Sequence, residues 1–336
     1  MIDSHPRIQV RIVMEEGRRG DVYPSDVIES IRRIADLAHP SLTAAQLSDD
    51  PDALRTCDVL LTGWGAPVID DHLLARAPRL RAILHAAGSV KNMVTEATWE
   101  RDIAVVSAAA ANAEPVAEIT AAQIVLAARG VPASRRAYRD VRSLSAAKAA
   151  RGATGQVVGL LALGEIGQRV AERLHGSSLT LLAHDPFADA AEAAKLGVEL
   201  VSLEDLFERS DVTSLHAPLL PATTGMINRG LLERMPYGAT LINTARGGLI
   251  DEEALVEVLR GRSDLTALLD VTVEEPPTAD SALWTLENIE LTPHVAGSMG
   301  TDRSAMGRLV ASELARIAEG RPLQHRVTRE AFNRLA

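Results

Sequence analysis

Aromatic residues are almost missing from this chain: Phe, Trp and Tyr make up 3% of its 336 positions. A core for that length must therefore be built from Ala, Val, Leu and Ile. Cysteine is nearly absent as well. Cys57 stands alone, which excludes an internal disulfide framework and cysteine-cluster metal sites. Only Lys91, Lys148 and Lys195 are lysines, so Schiff-base chemistry has few candidates, and no GxxxxGK[ST] stretch occurs. No basic run offsets the formal net charge of −10, which argues against nucleic acid or an anionic membrane as the main partner. The start, MIDSHPRIQVRIVMEEG, has no long apolar segment, and no apolar run reaches membrane-spanning length. A cytoplasmic globular protein is expected, long enough for two domains with separate cores.

The chain's organising stretch is QVVGLLALGEIGQRVAERLHGSSLTLLAHD, Gln156 to Asp185. An apolar run (Val157, Val158, Leu160, Leu161) reads as a buried parallel strand. A turn of small residues follows, and then Ile166, Val170, Ala171 and Leu174 recur at helical spacing. A second apolar run, Leu179 to Ala183, leads to Asp185. Strand, turn, helix, strand and acid together form the layout of a dinucleotide-binding βαβ unit. A pyrophosphate needs backbone N–H donors and the positive end of a helix. Gly164 allows the main chain to approach it, and Gly167 allows close helix–strand packing. Asp185 is placed to accept the ribose hydroxyls and to repel a 2′-phosphate, which favours NAD over NADP. Ala162 replaces the first glycine of the pattern. If that position needs positive φ, alanine costs roughly 1–2 kcal/mol; with negative φ it costs little.

Residues 1–108 read as alternating strands (Ile8–Met14, Asp58–Thr62, Arg81–His85, Ile103–Val106) and helices, which indicates a parallel sheet. Asn112 to Arg129 is an alanine-rich helix candidate, while 130–155 give no periodic signal. Beyond the βαβ unit, strands are expected at Val212–Leu215, Thr240–Ile242, Leu265–Leu269 and Ile289–Thr292, making a doubly wound sheet of six. A last helix is expected over Thr301–Glu319. Asp185, His216, Arg246, Asp270 and His294 all fall at or just past the C-terminal end of a strand, the edge where open parallel sheets bind ligands.

Among these, Arg246 has the planar fork that suits a carboxylate; alternatively it pairs with Asp251 or Glu252 on the surface. An imidazole exchanges protons near neutral pH, which suits His294 to general acid/base work. His216 and, less so, His85 are its rivals. Glu275 is a candidate partner for His294, with Glu274 adjacent.

Asn243-Thr244-Ala245-Arg246-Gly247, the stretch from Asp270 to Glu275-Pro276, and Thr292-Pro293-His294 together resemble the D-isomer-specific 2-hydroxyacid dehydrogenases. So do Leu215-His216-Ala217-Pro218-Leu219, Asn112-Ala113-Glu114 with Val116-Ala117-Glu118, and the Gly164, Gly167, Asp185 fingerprint, in order and spacing. The resemblance implies an α/β fold: a Rossmann-type doubly wound parallel sheet domain (109–298) inserted into a second, flavodoxin-like α/β substrate domain (1–108 and 299–336). It implies an NAD-dependent oxidoreductase interconverting a 2-keto acid and a D-2-hydroxy acid, usually a homodimer. Arg246 would bind the substrate, His294 would be the acid/base, and Glu275 would pair with it. Ala87, Gly88, Ser89 and Val90 would offer backbone N–H groups to the substrate carboxylate. Cofactor contacts would come from Ala162, Gly164, Glu165, Ile166, Gly167, Asp185, His216, Ala217, Pro218, Thr223, Thr244, Ala245 and Asp270, the last meeting the nicotinamide carboxamide. No metal is implied.

Ala162, Ala87, Ser89, Lys91, Thr272 and Leu220 depart from the family pattern, and they bear on substrate and cofactor affinity more than on reaction type. An NAD-sensing binding protein of the same fold is the alternative function. Formate dehydrogenase is disfavoured because that branch has glutamine where Glu275 stands. A phosphoglycerate-type enzyme with a C-terminal regulatory domain is disfavoured by a chain that ends soon after its last expected helix.

Overall fold

The computed structural model describes residues 7–332; residues 1–6 and 333–336, the outer ends of the expected substrate domain, lie outside the described residues. Thirteen strands follow in chain order among those described. The first five are β1 (Gln9–Val13), β2 (Asp36–Leu37), β3 (Val59–Thr62), β4 (Ala82–His85) and β5 (Ala104–Ser107). Next come β6 (Val157–Leu161), β7 (Thr180–His184), β8 (Val198–Leu200), β9 (Val212–Leu215), β10 (Thr240–Asn243), β11 (Thr266–Leu269) and β12 (Ile289–Leu291). The last is β13 (Arg326–Val327).

The chain divides into two compact units, one of residues 7–113 and 298–332 and the other of 114–297. The first unit's sheet runs β13-β5-β4-β3-β1-β2. All its pairings are parallel except β13 on β5, and without that edge strand the order is the flavodoxin-like one. The strands β3 and β4 are buried throughout, as a sheet covered on both faces requires. The helix Arg303–Ala318 returns to this unit and packs Met306, Val310 and Leu314 into its core. Gly307 is the point of close approach: a Cβ there would lie 1.8 Å from the Val22 carbonyl oxygen. The helix Ala109–Ala128 begins in this unit because Ala108 and Ala111 join its core, so the division falls at 113/114 rather than after 108.

The second unit's sheet is wholly parallel, in the order β12-β11-β10-β9-β6-β7-β8. Its strand order reverses between β6 and β9, the crevice where doubly wound sheets take up nucleotides. The sheet has seven strands, not six. The added β8 is a three-residue edge strand, Val-Glu-Leu, too short to show alternation. A helix over Val131–Val141 was also not expected. Of its residues only Pro132 is buried, and Tyr138 and Val141 are exposed, so no core-facing stripe marks it in the sequence. No single helix among the described residues is long and apolar enough to cross a membrane. The bent pair Ala109–Ala128 and Val131–Val141 passes that test by length and composition.

Candidate active site

The turn after β6 begins at Ala162, whose φ is +75°, the left-handed region that glycine adopts freely. Alanine is strained there. It is held because Ala162 N–H donates to the His184 carbonyl at 2.9 Å and Leu163 N–H donates to Asp185 Oδ2 at 2.8 Å. Gly167 then packs directly under the turn: a Cβ on it would lie 2.2 Å from the Ala162 carbonyl oxygen. We expect Ala162→Gly to raise the unfolding free energy by about 0.5–1 kcal/mol, read as a higher urea midpoint, the strain relieved less the entropy glycine adds to the unfolded chain. A lower midpoint would show that the left-handed turn carries no strain.

The same turn fits a dinucleotide. A Cβ on Gly164 would meet nothing within 4 Å, so the space over that backbone is not filled by the protein. The helix Glu165–Leu174 has no side-chain cap, whereas Ser202, Asn228 and Asp251 cap three later helices of the unit. Its first N–H groups are therefore left for a ligand. Asp185, just past β7, receives Leu163 N–H on Oδ2 and Phe187 N–H on Oδ1, both at 2.8 Å, which fixes the carboxylate beside the turn. On the other side of the crevice His216 follows β9 and donates its N–H to the Leu161 carbonyl at 2.8 Å. Although part of the residue reaches the surface, its Nε2 is enclosed without a hydrogen-bond partner. Burial lowers its pKa to about 4, so it is neutral at pH 7. Thr223 uses its hydroxyl inside its own loop, receiving Leu220 N–H and donating to the Pro218 carbonyl at 2.6 Å. Thr244 shares a hydrogen bond of 2.8 Å with Thr120.

Arg246 lies three residues beyond β10 in a turn braced by buried Asn243. The amide of Asn243 donates to the Arg246 carbonyl at 2.9 Å and receives Ala245 N–H at 3.0 Å. The guanidinium donates to the Ala245 carbonyl at 2.7 Å. It forms no ion pair with Asp251 or Glu252 among the described residues. Asp251 caps the following helix, and Glu252 receives Val273 N–H at 3.0 Å. Burial lowers the Arg246 pKa, while the nearby Glu275 charge acts against that shift. A Cβ on Gly247 would sit 2.0 Å from the Thr272 carbonyl carbon, so glycine is needed for close approach. One on Gly248 would meet only the Leu219 side chain, at 3.1 Å.

His294 and Glu275 meet: imidazole Nδ1 lies 2.7 Å from Glu275 Oε2. The carboxylate accepts Nδ1–H, which sets the tautomer and leaves Nε2 free to act. His294 has a φ of +54°, a conformation costing a non-glycine residue roughly 1–2 kcal/mol. A cavity of about 490 Å³ adjoins the pair and is lined also by Asp270, Trp284, Leu291, Pro276 and Pro277.

In the first unit the loop Ala86–Val90 follows β4. Ser107 donates to the Gly88 carbonyl at 2.6 Å, and a Cβ on Gly88 would lie 3.4 Å from Asn112 Nδ2. Lys91 places Nζ 4.7 Å from the centre of the Phe332 ring, a cation–π contact. His85 is buried and shares a hydrogen bond of 2.9 Å with Thr62. Burial lowers its pKa to about 4, and a hydrogen bond with the Ser89 backbone acts the other way. The unfolded chain protonates this imidazole near pH 6.5, and the folded chain does so only near 4. Stability is therefore present above pH 6.5 and lost between 6.5 and 4, on the order of 3 kcal/mol. Urea midpoints measured over that window are expected to fall with pH in the wild type and less steeply in His85→Asn. Parallel slopes would contradict the assignment.

A model of the D-isomer specific 2-hydroxyacid dehydrogenase NAD binding domain matches residues 121–296. That is over half the chain. The chain belongs to the D-isomer specific 2-hydroxyacid dehydrogenase family. Its second unit is the family's nicotinamide-dinucleotide-binding domain. D-3-phosphoglycerate dehydrogenase of Mycobacterium bovis is 35% identical over 298 residues, 85% of this chain and 56% of that protein. The protein of the same name from Methanocaldococcus jannaschii is 34% identical, with 89% and 57% covered. The chain thus spans about half the length of these curated relatives. Among solved structures, a Thermus thermophilus protein is 30% identical with a TM-score of 0.75, covering 96% of this chain and 100% of its own. Rhodotorula graminis D-mandelate dehydrogenase shares the fold at 24% identity, with a TM-score of 0.82 and coverage of 96% and 98%.

The dehydrogenase fold thus brings Glu275 to His294 and places Arg246 within range of the Glu275 charge. Asn243, Thr292 and the N–H groups of Val295 and Ala296 also shape the site, although sequence reasoning gave them no role. Asn243 and Thr292 belong to the stretches Asn243–Gly247 and Thr292–His294, and a short polar side chain opening a stretch that ends in a titratable residue was the available signal.

Proposed function

We propose that the chain is an NAD(H)-dependent oxidoreductase interconverting a 2-keto acid and a D-2-hydroxy acid. The observation that carries this reading is the 2.7 Å contact between His294 and Glu275 within the nicotinamide-dinucleotide-binding unit. A reduced nicotinamide, when bound, would supply hydride to the carbonyl carbon. His294 Nε2 gives a proton to the carbonyl oxygen, and takes one from the hydroxyl in the reverse direction. Glu275 holds the tautomer and stabilises the imidazolium. Arg246 binds the carboxylate and carbonyl oxygen through charge-assisted hydrogen bonds. The backbone N–H groups of Ala87–Val90 bind the carboxylate as well. Asp185 accepts the ribose hydroxyls with the lone pairs its two backbone contacts leave free, and its charge disfavours NADPH. Asp270 contributes to the cofactor side.

The relatives named D-3-phosphoglycerate dehydrogenase and D-mandelate dehydrogenase set the range of side chains to try, from phosphorylated to aromatic. The test is NADH and NADPH oxidation across 2-keto acids graded in size and charge. The reading predicts turnover with at least one acid and a preference for NADH. No turnover with any acid, despite NADH binding, would favour a nucleotide-sensing protein.

The active form is a homodimer in this reading. Val125, Leu126, Tyr138, Val141 and Leu144 are exposed apolar residues close together in the chain, with Leu144 83% exposed. Exposed apolar residues gathered in one stretch of chain support that reading. Sedimentation at twice the 35.9 kDa chain mass is expected, and a monomer would refute it.

A further inference from the structure

Asp270 follows β11 and is 3% exposed, yet among the described residues it forms no ion pair. Its charge is met by hydrogen bonds from one short segment. Oδ1 accepts the Thr292 hydroxyl at 2.5 Å and Val295 N–H at 2.9 Å, and Oδ2 accepts Ala296 N–H at 2.8 Å. The Asp270 backbone carbonyl accepts His294 N–H at 2.9 Å. Every contact comes from the five residues centred on His294. The left-handed φ of His294 lets its own N–H reach the Asp270 carbonyl while the next two N–H groups, with the Thr292 hydroxyl, close around the carboxylate, a concavity that binds an anion. That anion is part of the protein itself.

We propose that Asp270 is a positioning residue that holds the His294 backbone in its left-handed conformation, and that proton transfer depends on this hold. The inference rests on the dehydrogenase reading of His294. Without the carboxylate, the buried N–H of Ala296 and the half-buried N–H of Val295 would face nothing, and the segment would relax out of the left-handed region. The imidazole would then turn away from both Glu275 and the substrate. An asparagine has the same shape but only one accepting oxygen. Its NH2 group would face a backbone N–H or the Thr292 hydroxyl, so the concavity could not close around it. A role confined to the nicotinamide carboxamide needs none of this arrangement, since both carboxylate oxygens already receive hydrogens from the His294 segment.

The experiment compares Asp270→Asn, Thr292→Val and Thr292→Ser. NADH affinity is measured by fluorescence, kcat is measured at saturating NADH, and hydrogen exchange is measured at the amides of residues 294–296. Expected for Asp270→Asn are a kcat lower by about 10²-fold, as for a misplacement near 1 Å, NADH affinity within about threefold, and faster exchange at those amides. Thr292→Val should lose about tenfold in kcat and Thr292→Ser should recover it, because serine keeps the hydroxyl donor. This pair leaves the buried charge in place, so it stays informative if Asp270→Asn fails to fold. NADH affinity falling more than tenfold with kcat kept would overturn the proposal in favour of a cofactor contact. Unchanged exchange at residues 294–296 would also overturn it, and that readout holds even if no 2-keto acid is turned over.

Discussion

Replacing His294 by alanine is expected to lower kcat by about 10²–10⁴-fold and to change NADH affinity by less than about threefold. The argument is one of geometry. Among the described residues His294 is the histidine that contacts a carboxylate, with Nδ1 2.7 Å from Glu275 Oε2. It lies three residues beyond β12, away from the turn after β6 that is proposed to hold the nucleotide. Its removal takes away the proton donor and leaves that turn intact. His216 cannot take over, because burial lowers its pKa to about 4 and its Nε2 is enclosed. Steady-state kinetics with parallel fluorescence titration checks this. Undiminished turnover in the variant would remove His294 from the chemistry.

The second large effect is expected at a residue with no chemistry of its own. Gly247→Ala places a methyl group 2.0–2.5 Å from the backbone atoms of Thr272 and Val273. Backbone cannot give way as a side-chain end can, so the turn carrying Arg246 must move away from the loop that leads to Glu275. Overpacking of this kind costs about 1–3 kcal/mol, and a shift near 1 Å in a reacting group costs about 10²-fold in rate. The variant should lose activity by about that factor while its urea midpoint falls. Gly248→Ala serves as the control, since its methyl would meet only the flexible Leu219 side chain at 3.1 Å. Equal losses in the two variants would show that flexibility, and not close approach, is what the Gly247-Gly248 pair provides.

Much of this molecule is written in local pattern. Buried parallel strands such as β3, β4 and β10 are short, mostly apolar runs, and Asp185, His216, Arg246, Asp270 and His294 follow β7, β9, β10, β11 and β12, so strand positions and candidate site residues are legible together. What escapes is whatever depends on two distant segments meeting. The β8 strand has three residues and is defined by its neighbour β7. The antiparallel β13 exists only because β5 offers an edge. The φ of Ala162 could not be decided from an AxGxxG stretch, since alanine fits either sign until Gly167 and Asp185 are seen to close on the turn. Arg246 showed a carboxylate-binding group but not its freedom from Glu252, which is used at Val273. Asp270 was legible as an acid at a strand end, whereas its partners from Thr292 to Ala296 appear only in three dimensions.

The most direct measurement follows both reactants at once. NADH consumed and hydroxy acid formed are quantified in one reaction with the best 2-keto acid, and the product is resolved by chiral chromatography. The account predicts one D-2-hydroxy acid for each NADH oxidised. NADH that binds but stays reduced with every 2-keto acid, or a product of the L configuration, would contradict it.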